Sequence, residues 1–278
     1  MSEVILLTGS TGFVGRQILG ILQENGYQIR LVIREGSQAK IENLKGIEKI
    51  MTTPDLFSEN SDWWTLACDG ADSVIHSAWY AEPGQYLRSE KNLECLVGTL
   101  SLAKGAVNAG VKRFVGVGTC FEYENSNLPL TVENPLKPSS PYAAAKVACY
   151  SFLSEYLQLK DVVFTWCRLF YLYGDGEDSR RLVPYIHAKI QANEVVELSA
   201  GNQIRDFLNV RDAADQIVSS FEAHKKGAVN ICSGTGISVR ELAENIADNY
   251  GRRDLLEFGA RKTDPTDPPF VVGVTSIN

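Results

Sequence analysis

Val4-Ile-Leu-Leu-Thr-Gly-Ser-Thr-Gly-Phe-Val-Gly15 is a short apolar run that breaks into three glycines and restarts with helical spacing. Phe13, Ile18, Leu19 and Leu22 fall on one face of the segment that follows. A strand that ends in glycines and turns into a helix leaves unpaired backbone N–H groups at the positive end of the helix dipole. That arrangement cradles a phosphate. Gly9 permits the tight turn, Gly12 opens the backbone to a pyrophosphate, and Gly15 lets helix and strand approach closely.

Downstream, short apolar runs alternate with helical patterns. Asn25-Gly26 turns the chain into a second strand, Gln28 to Ile33. Ile47 to Met51, Ser73 to His76 and Lys112 to Val117 read as the next three strands. Ser61 is placed to cap a short helix holding Trp63, Trp64 and Leu66, and a long helical stretch runs from about Gln85 to Ala109, closed by Gly110. Strict alternation predicts right-handed βαβ units and a parallel sheet, hence an α/β fold of the doubly wound, Rossmann type with a smaller C-terminal α/β part. The boundary is set near residue 170, giving parts at 1–170 and 171–278 with the chain interleaving between them.

Composition narrows the partners. A chain of 278 residues with 44% hydrophobic and 22% charged residues is an ordinary globular sequence with a full core. No apolar run reaches membrane-spanning length, and no basic region with an apolar stretch and cleavage site opens the chain, so a cytoplasmic protein is expected. The six cysteines lie apart, mostly in apolar segments, without metal-binding or redox spacing; they are expected to be reduced and buried, with no metal. A net charge of −7 argues against nucleic acid or an anionic membrane.

The second strand ends Leu31-Val-Ile-Arg34, without the acidic residue that usually holds an adenosine ribose. Arg34, helped by Arg30, is placed to pair with a 2′-phosphate, which favours NADP over NAD; Glu35 is the acidic alternative. Asp55-Leu56 follows the third strand, and an acid there can meet an adenine amino group. Small residues Ser77 and Ala78 follow the fourth strand, and His76 reads as a packed strand-end residue. After the fifth strand come Thr119 and a proline-rich loop, then a helix opening Ser140-Pro-Tyr142-Ala-Ala-Ala-Lys146. Tyr142 and Lys146 are four apart and share a helix face. An ammonium beside a phenol is expected to lower the tyrosine pKa and ready it for proton exchange with a carbonyl or alcohol.

Thr8-Gly-x-x-Gly-x-x-Gly15, Thr119 and Tyr142-x-x-x-Lys146 resemble the extended short-chain dehydrogenase/reductase family, and more narrowly the NAD(P)-dependent nucleotide-sugar epimerases, dehydratases and reductases. The likeness continues at Val74-Ile-His-Ser-Ala78, Cys167-Arg-Leu-Phe-Tyr-Leu-Tyr-Gly174, Arg205-Asp-Phe-Leu-Asn-Val-Arg-Asp212 and Asn230-Ile-Cys-Ser-Gly234. The resemblance implies a dinucleotide held by Gly9, Thr11, Gly12, Phe13, Val14, Gly15, Arg34, Asp55, Leu56, Ser77, Ala78, Tyr142 and Lys146. It implies Thr119, Tyr142 and Lys146 around the reacting carbon and a nucleotide sugar against Thr119, Cys120, Phe121, Tyr171 and Arg205. It further implies a homodimer through the helices at 85–109 and 141–159. Arg205 either grips the diphosphate or pairs with Asp206 or Asp212, and Arg180 and Arg181 are expected to be solvated, with contact to a phosphate as the alternative.

Departures from the family pattern sharpen the expectation. The 4,6-dehydratases carry Asp-Glu directly after the threonine; Cys120-Phe121 stand here, and neither can do that proton transfer. Tyr171 replaces a frequent asparagine. Gly118-Thr-Cys-Phe-Glu-Tyr123 is similar to segments of sugar-nucleotide ketoreductases such as the abequose synthases. The expected activity is NADPH-dependent reduction of a nucleotide-linked 4-keto-6-deoxy sugar. A 4-epimerase is the alternative, and a non-catalytic dinucleotide sensor the third. Family members continue beyond the stretch Thr263-Asp-Pro-Thr-Asp-Pro-Pro269, so the C-terminal part is expected to be short or incomplete.

Overall fold

The structure, a computed structural model, describes residues 3–276 apart from 42, 44 and 264–266, so part of the Thr263–Pro269 stretch lies outside the described residues. In chain order the elements of the first half are β1 (Val4–Thr8), α1 (Phe13–Glu24), β2 (Gln28–Arg34), β3 (Ile47–Thr53), α2 (Ser61–Cys68), β4 (Ser73–His76), α3 (Lys91–Asn108), β5 (Arg113–Thr119), α4 (Pro141–Leu159) and β6 (Val163–Leu169). The second half contributes β7 (Tyr171–Tyr173), α5 (Leu182–Gln191), β8 (Val196–Leu198), β9 (Ile204–Asn209), α6 (Val210–Glu222), β10 (Gly227–Ile231), β11 (Gly236–Ser238), α7 (Val239–Asp248), β12 (Leu256–Phe258) and β13 (Phe270–Val271).

Seven parallel strands form the main sheet in the order β10-β6-β5-β4-β1-β2-β3. The strands read as almost continuous apolar runs because both faces are covered. Ile5 and Leu7 of β1 enter one core with α1 and α6, whereas Leu6 between them enters the other, with α2, α3 and α4. Strand β10 and helix α6, from the second half of the chain, complete this sheet and its covering layer. The remainder builds a smaller unit. There β9 pairs with β7, β11 and β13, while β8 pairs with β12 beneath α5 and α7. No helix among the described residues is long and apolar enough to cross a membrane. All six cysteines are free and buried.

Two local expectations need correction. The cap of α2 is Asn60, whose side chain accepts from the amides of Asp62 and Trp63, and Ser61 is already helical. An amide oxygen at N-cap satisfies the same orphan donors a serine would, so the residue one position earlier took the role. The predicted helix from Gln85 to Ala109 is broken: Tyr86–Arg88 form one 3₁₀ turn, and α3 begins at Lys91. At the break Ser89 is extended, and the Asn92 side chain donates to the carbonyls of Tyr86 and Ser89.

The parallel topology puts every C-terminal strand end of the main sheet on one edge. The order in which strands are added reverses between β1 and β4, where Thr8 sits opposite His76, so a crevice opens beyond those two strand ends.

Candidate active site

The crevice is a cleft of about 980 Å³, at the upper end of the range for ligand pockets. Gly9, Gly12, Phe13, Val14 and Gly15 line one end. Gly9 has φ +78°, and a Cβ there would meet Ser77 and the amide of Ala78; a Cβ on Gly15 would overlap the Gly9 carbonyl. Ser77 Oγ donates to the carbonyl of Thr8 at 2.8 Å and ties the loop after β4 to the loop after β1. Gly12 is the N-cap of α1 without a capping side chain, and no acidic residue stands in the first turn. The hydroxyl of Ser10 in this loop is buried without a partner among the described residues. Bare amides at a positive helix end, with no Cβ in the way, fit the pyrophosphate of a dinucleotide.

Along the cofactor end, Arg34 and Asp55 line the cleft, and Glu35 does not. Arg30 is withdrawn. It lies four residues upstream on β2, roughly 13 Å away at about 3.3 Å per residue. Its guanidinium is spent on Glu48 at 3.0 Å and on the carbonyls of Ala67 and Asp69 at the end of α2. Asp55 holds its own turn, accepting from the Phe57 amide and the Ser58 hydroxyl. Leu56 packs into the core beside α2 and α3, and the cleft lining includes neither it nor Thr11 nor Ala78. His76 is buried between the hydroxyls of Thr8 at 2.8 Å and Thr99 at 3.0 Å. Burial, aided by the charge of Lys146, pushes its pKa down to about 3, so it stays neutral.

Thr119, Tyr142 and Lys146 meet in the middle of the cleft. Thr119 ends β5 and caps a 3₁₀ turn. Its hydroxyl accepts from the Phe121 amide, while the carboxylate of Glu122 accepts from the Thr119 amide at 2.9 Å. Ser140 caps α4 and Pro141 opens it, which sets Tyr142 in the first turn and Lys146 one turn deeper. Lys146 Nζ donates to the carbonyl of Val117 at 2.6 Å and lies 6.0 Å from the centre of the Tyr142 ring.

Electrostatics at this point run opposite to the sequence expectation. Burial raises the Tyr142 pKa above its usual value of 10.0, and the neighbouring Tyr86 adds to the rise; a hydrogen bond with Thr119 opposes it. Burial likewise lowers Lys146 to about 8, with Cys149, Glu122 and Cys95 pulling it back up. Helical spacing brings the two groups onto one face, but the low-dielectric pocket penalises both charged forms. Tyr142 is therefore protonated at neutral pH.

Beyond Thr119 the wall is made by Cys120, Phe121, Tyr171 and Arg205. Burial pushes the Cys120 thiol up to about 12. The rings of Phe121 and Tyr171 meet edge to face at 5.9 Å, and the Arg205 guanidinium lies 5.2 Å over the Tyr171 ring. Arg205 pairs with Asp267 at 2.6 Å, not with Asp206 or Asp212. Asp206 is buried and accepts from the amides of Ser233, Gly234 and Gly273. Arg180 is solvated as expected, bridging Asp178 and Glu82. Arg181 is exposed as well, and it also borders the cleft, 5.5 Å over the Tyr86 ring, at the N-cap of α5. Trp79, Tyr86 and Glu177 also line the cleft and were not anticipated. An aromatic directly after the small residues at a strand exit was the available signal for Trp79; Tyr86 was hidden inside the supposed helix.

Comparison with known proteins agrees with this geometry. The model of the NAD dependent epimerase/dehydratase family matches residues 5–232. The chain is 25% identical over 247 residues to dTDP-6-deoxy-L-talose 4-dehydrogenase (NAD(+)) of Aggregatibacter actinomycetemcomitans, covering 87% of this chain and 88% of that one. It is 24% identical over 274 residues to CDP-abequose synthase of Salmonella typhimurium, covering 94% and 86%. Among solved structures, UDP-N-acetylglucosamine 4-epimerase from Methanobrevibacter ruminantium M1 shares the fold with a TM-score of 0.85 at 22% identity, over 99% of this chain and 91% of that one. A match across most of the sequence, on a sheet and glycine cradle of this form, means that the chain belongs to the NAD dependent epimerase/dehydratase family.

Proposed function

We propose that the protein reduces a nucleotide-linked 4-keto-6-deoxy sugar at C4, with NADPH as the preferred cofactor. The observation that carries this reading is a tyrosine kept protonated in the cleft beside a threonine hydroxyl, with no acid–base pair after that threonine. A reduction needs a proton donor at the carbonyl oxygen; an elimination needs the carboxylates that Cys120 and Phe121 replace. When bound, the reduced dinucleotide supplies the hydride that C4 receives. Tyr142 gives its proton to the carbonyl oxygen, and Thr119 orients that oxygen by a hydrogen bond. Lys146 holds the nicotinamide ribose and places a positive charge near the phenol. Gly9, Gly12 and Gly15 seat the pyrophosphate, Phe121 and Tyr171 face the sugar, and Arg205 takes the diphosphate by exchanging its bond to Asp267.

The same three residues serve a nucleotide-sugar 4-epimerase, which oxidises and re-reduces C4 without net consumption of cofactor. Incubation with a panel of nucleotide-linked 4-keto-6-deoxy sugars and NADPH or NADH, followed by the absorbance of the reduced nicotinamide, separates the readings. Stoichiometric loss of absorbance is the expected result. Interconversion of nucleotide sugars without absorbance change means epimerisation, and dinucleotide binding with neither reaction means a sensor.

Cofactor preference rests on Arg34, at the β2 end of the cleft. Charge-assisted bonds to a 2′-phosphate contribute about 1.5–3 kcal/mol, so Arg34→Ala is expected to weaken NADPH binding roughly 10- to 100-fold. NADH binding should stay unchanged; fluorescence titration of the two reduced cofactors measures both. We assign the exposed Leu93, Val97 and Phe152 of α3 and α4 to a homodimer contact, for which sedimentation velocity should return a dimer.

A further inference from the structure

Trp79 leaves β4 directly beneath the reacting residues, and its indole is held in place. Nε1 donates to Asn92 Oδ1 at 2.9 Å, and the buried Asn92 is itself anchored to the carbonyls of Tyr86 and Ser89. Lys146 Nζ lies 3.6 Å from the centre of the Trp79 ring. Its other aromatic neighbours stand at the outer limit of such contacts, Trp166 at 5.7 Å and Tyr142 at 6.0 Å. One proton of the ammonium goes to the carbonyl of Val117. Glu122 favours the charge from behind Thr119, but its carboxylate is already engaged by Arg168, Trp166 and the Thr119 amide. Among the described residues this buried ammonium has one carbonyl acceptor and no ion pair, so it needs another source of stabilisation, and the indole face is in contact with it.

We propose that Trp79 is a positioning residue for the reaction: its indole face carries the Lys146 ammonium through a cation–π contact and keeps it charged and in place beside Tyr142. The proposal rests on the reading that Lys146 serves the chemistry at Tyr142. Burial, partly offset by Cys149, Glu122 and Cys95, leaves Lys146 at about 8, close enough to neutrality that a further fall would empty the site of charge. The other titratable groups around it do not ionise in that range. His76 on β4 is held near 3; Cys95 on α3 and Cys149 on α4 are pushed up to about 11 and about 12; Tyr142 and Tyr86 are also raised. A transition near pH 8 therefore belongs to Lys146.

The test reads Lys146 itself, in cofactor-free protein, by carbon-detected NMR of lysine labelled at Cε, with the resonance assigned by its loss in Lys146→Met. Trp79→Leu keeps an apolar side chain and removes the π face. Its Lys146 midpoint should fall by about 1.5 pH units, the size of a desolvated cation–π contact. Trp79→Phe, which restores a weaker π face, should fall less, and it carries the test alone if the leucine variant does not fold. Turnover measured against pH should lose its alkaline limb by the same offset, with KM for the nucleotide sugar little changed. An unmoved midpoint in a folded variant overturns the proposal. Equal shifts in the leucine and phenylalanine variants overturn it too, since packing alone would then be responsible. Absence of any reductase or epimerase turnover in the wild type, with the midpoint shift intact, overturns the functional reading and with it the role in the reaction, while leaving the contact established.

Discussion

Replacing Tyr142 by Phe is expected to lower kcat by about 10²–10⁴-fold, the range for loss of a positioned general acid. The ring itself should stay where it is. It meets Tyr86 edge to face at 4.9 Å and Trp79 at 6.3 Å, and both contacts involve ring atoms that phenylalanine keeps. The cradle at Gly9–Gly15 is untouched, so cofactor affinity should match the wild type in a fluorescence titration. The pH dependence follows from the two displaced groups. Tyr142 is raised, so its proton is present throughout the neutral range; Lys146 is lowered to about 8, so its charge is the first to be lost as pH increases. Wild-type turnover should therefore fall as pH rises through about 8, governed by the ammonium rather than the phenol. Steady-state rates across this range check both statements. Undiminished turnover in Tyr142→Phe would remove the mechanism.

The parts of this site written in short sequence intervals were legible before the structure. Three glycines between a strand and a helix dictate a cradle from local geometry, and a tyrosine and lysine four apart share a helix face wherever that helix lies. Distances across the sheet were not legible. Arg30 looks as available as Arg34 along the strand, and only the end of α2 and the side chain of Glu48 take it away. Arg181 is exposed like its neighbour Arg180, and only its place at the start of α5 brings it to the rim of the cleft. The pKa of Tyr142 was misjudged for a similar reason. Spacing reveals which charge is near, whereas burial, which dominates here, is a property of the assembled cleft. Helix α6 and strand β10 join the main sheet from beyond the small unit, a crossover that alternation of elements does not specify.

Glu122 belongs to the same class of residues hidden from sequence, and Glu122→Ala is expected to have the largest effect on stability. The side chain is fully buried, and so is that of its partner Arg168 at 2.7 Å. Its carboxylate also accepts from the Thr119 amide at 2.9 Å and the Trp166 indole at 2.9 Å. Arg168 makes one further bond, to the hydroxyl of Tyr123, which donates to Asn230 at 2.6 Å. Removing the carboxylate strands a guanidinium, an indole N–H and a backbone N–H out of reach of water. Breaking a buried pair this way costs about 3–5 kcal/mol, against a total stability of about 5–15 kcal/mol for a typical domain. Chemical denaturation should show the midpoint falling at unchanged m-value. Glu122→Gln keeps an acceptor and loses the charge, so it should fall between alanine and wild type. Combining Glu122→Leu with Arg168→Met removes both charges and should cost less than the sum of the two single changes, because no charge is left buried alone. If the double variant equals that sum, the carboxylate and guanidinium act independently. The capping of Thr119 and the charge that Glu122 places near Lys146 link this buried pair to the cleft, and activity at matched folded fraction measures that link.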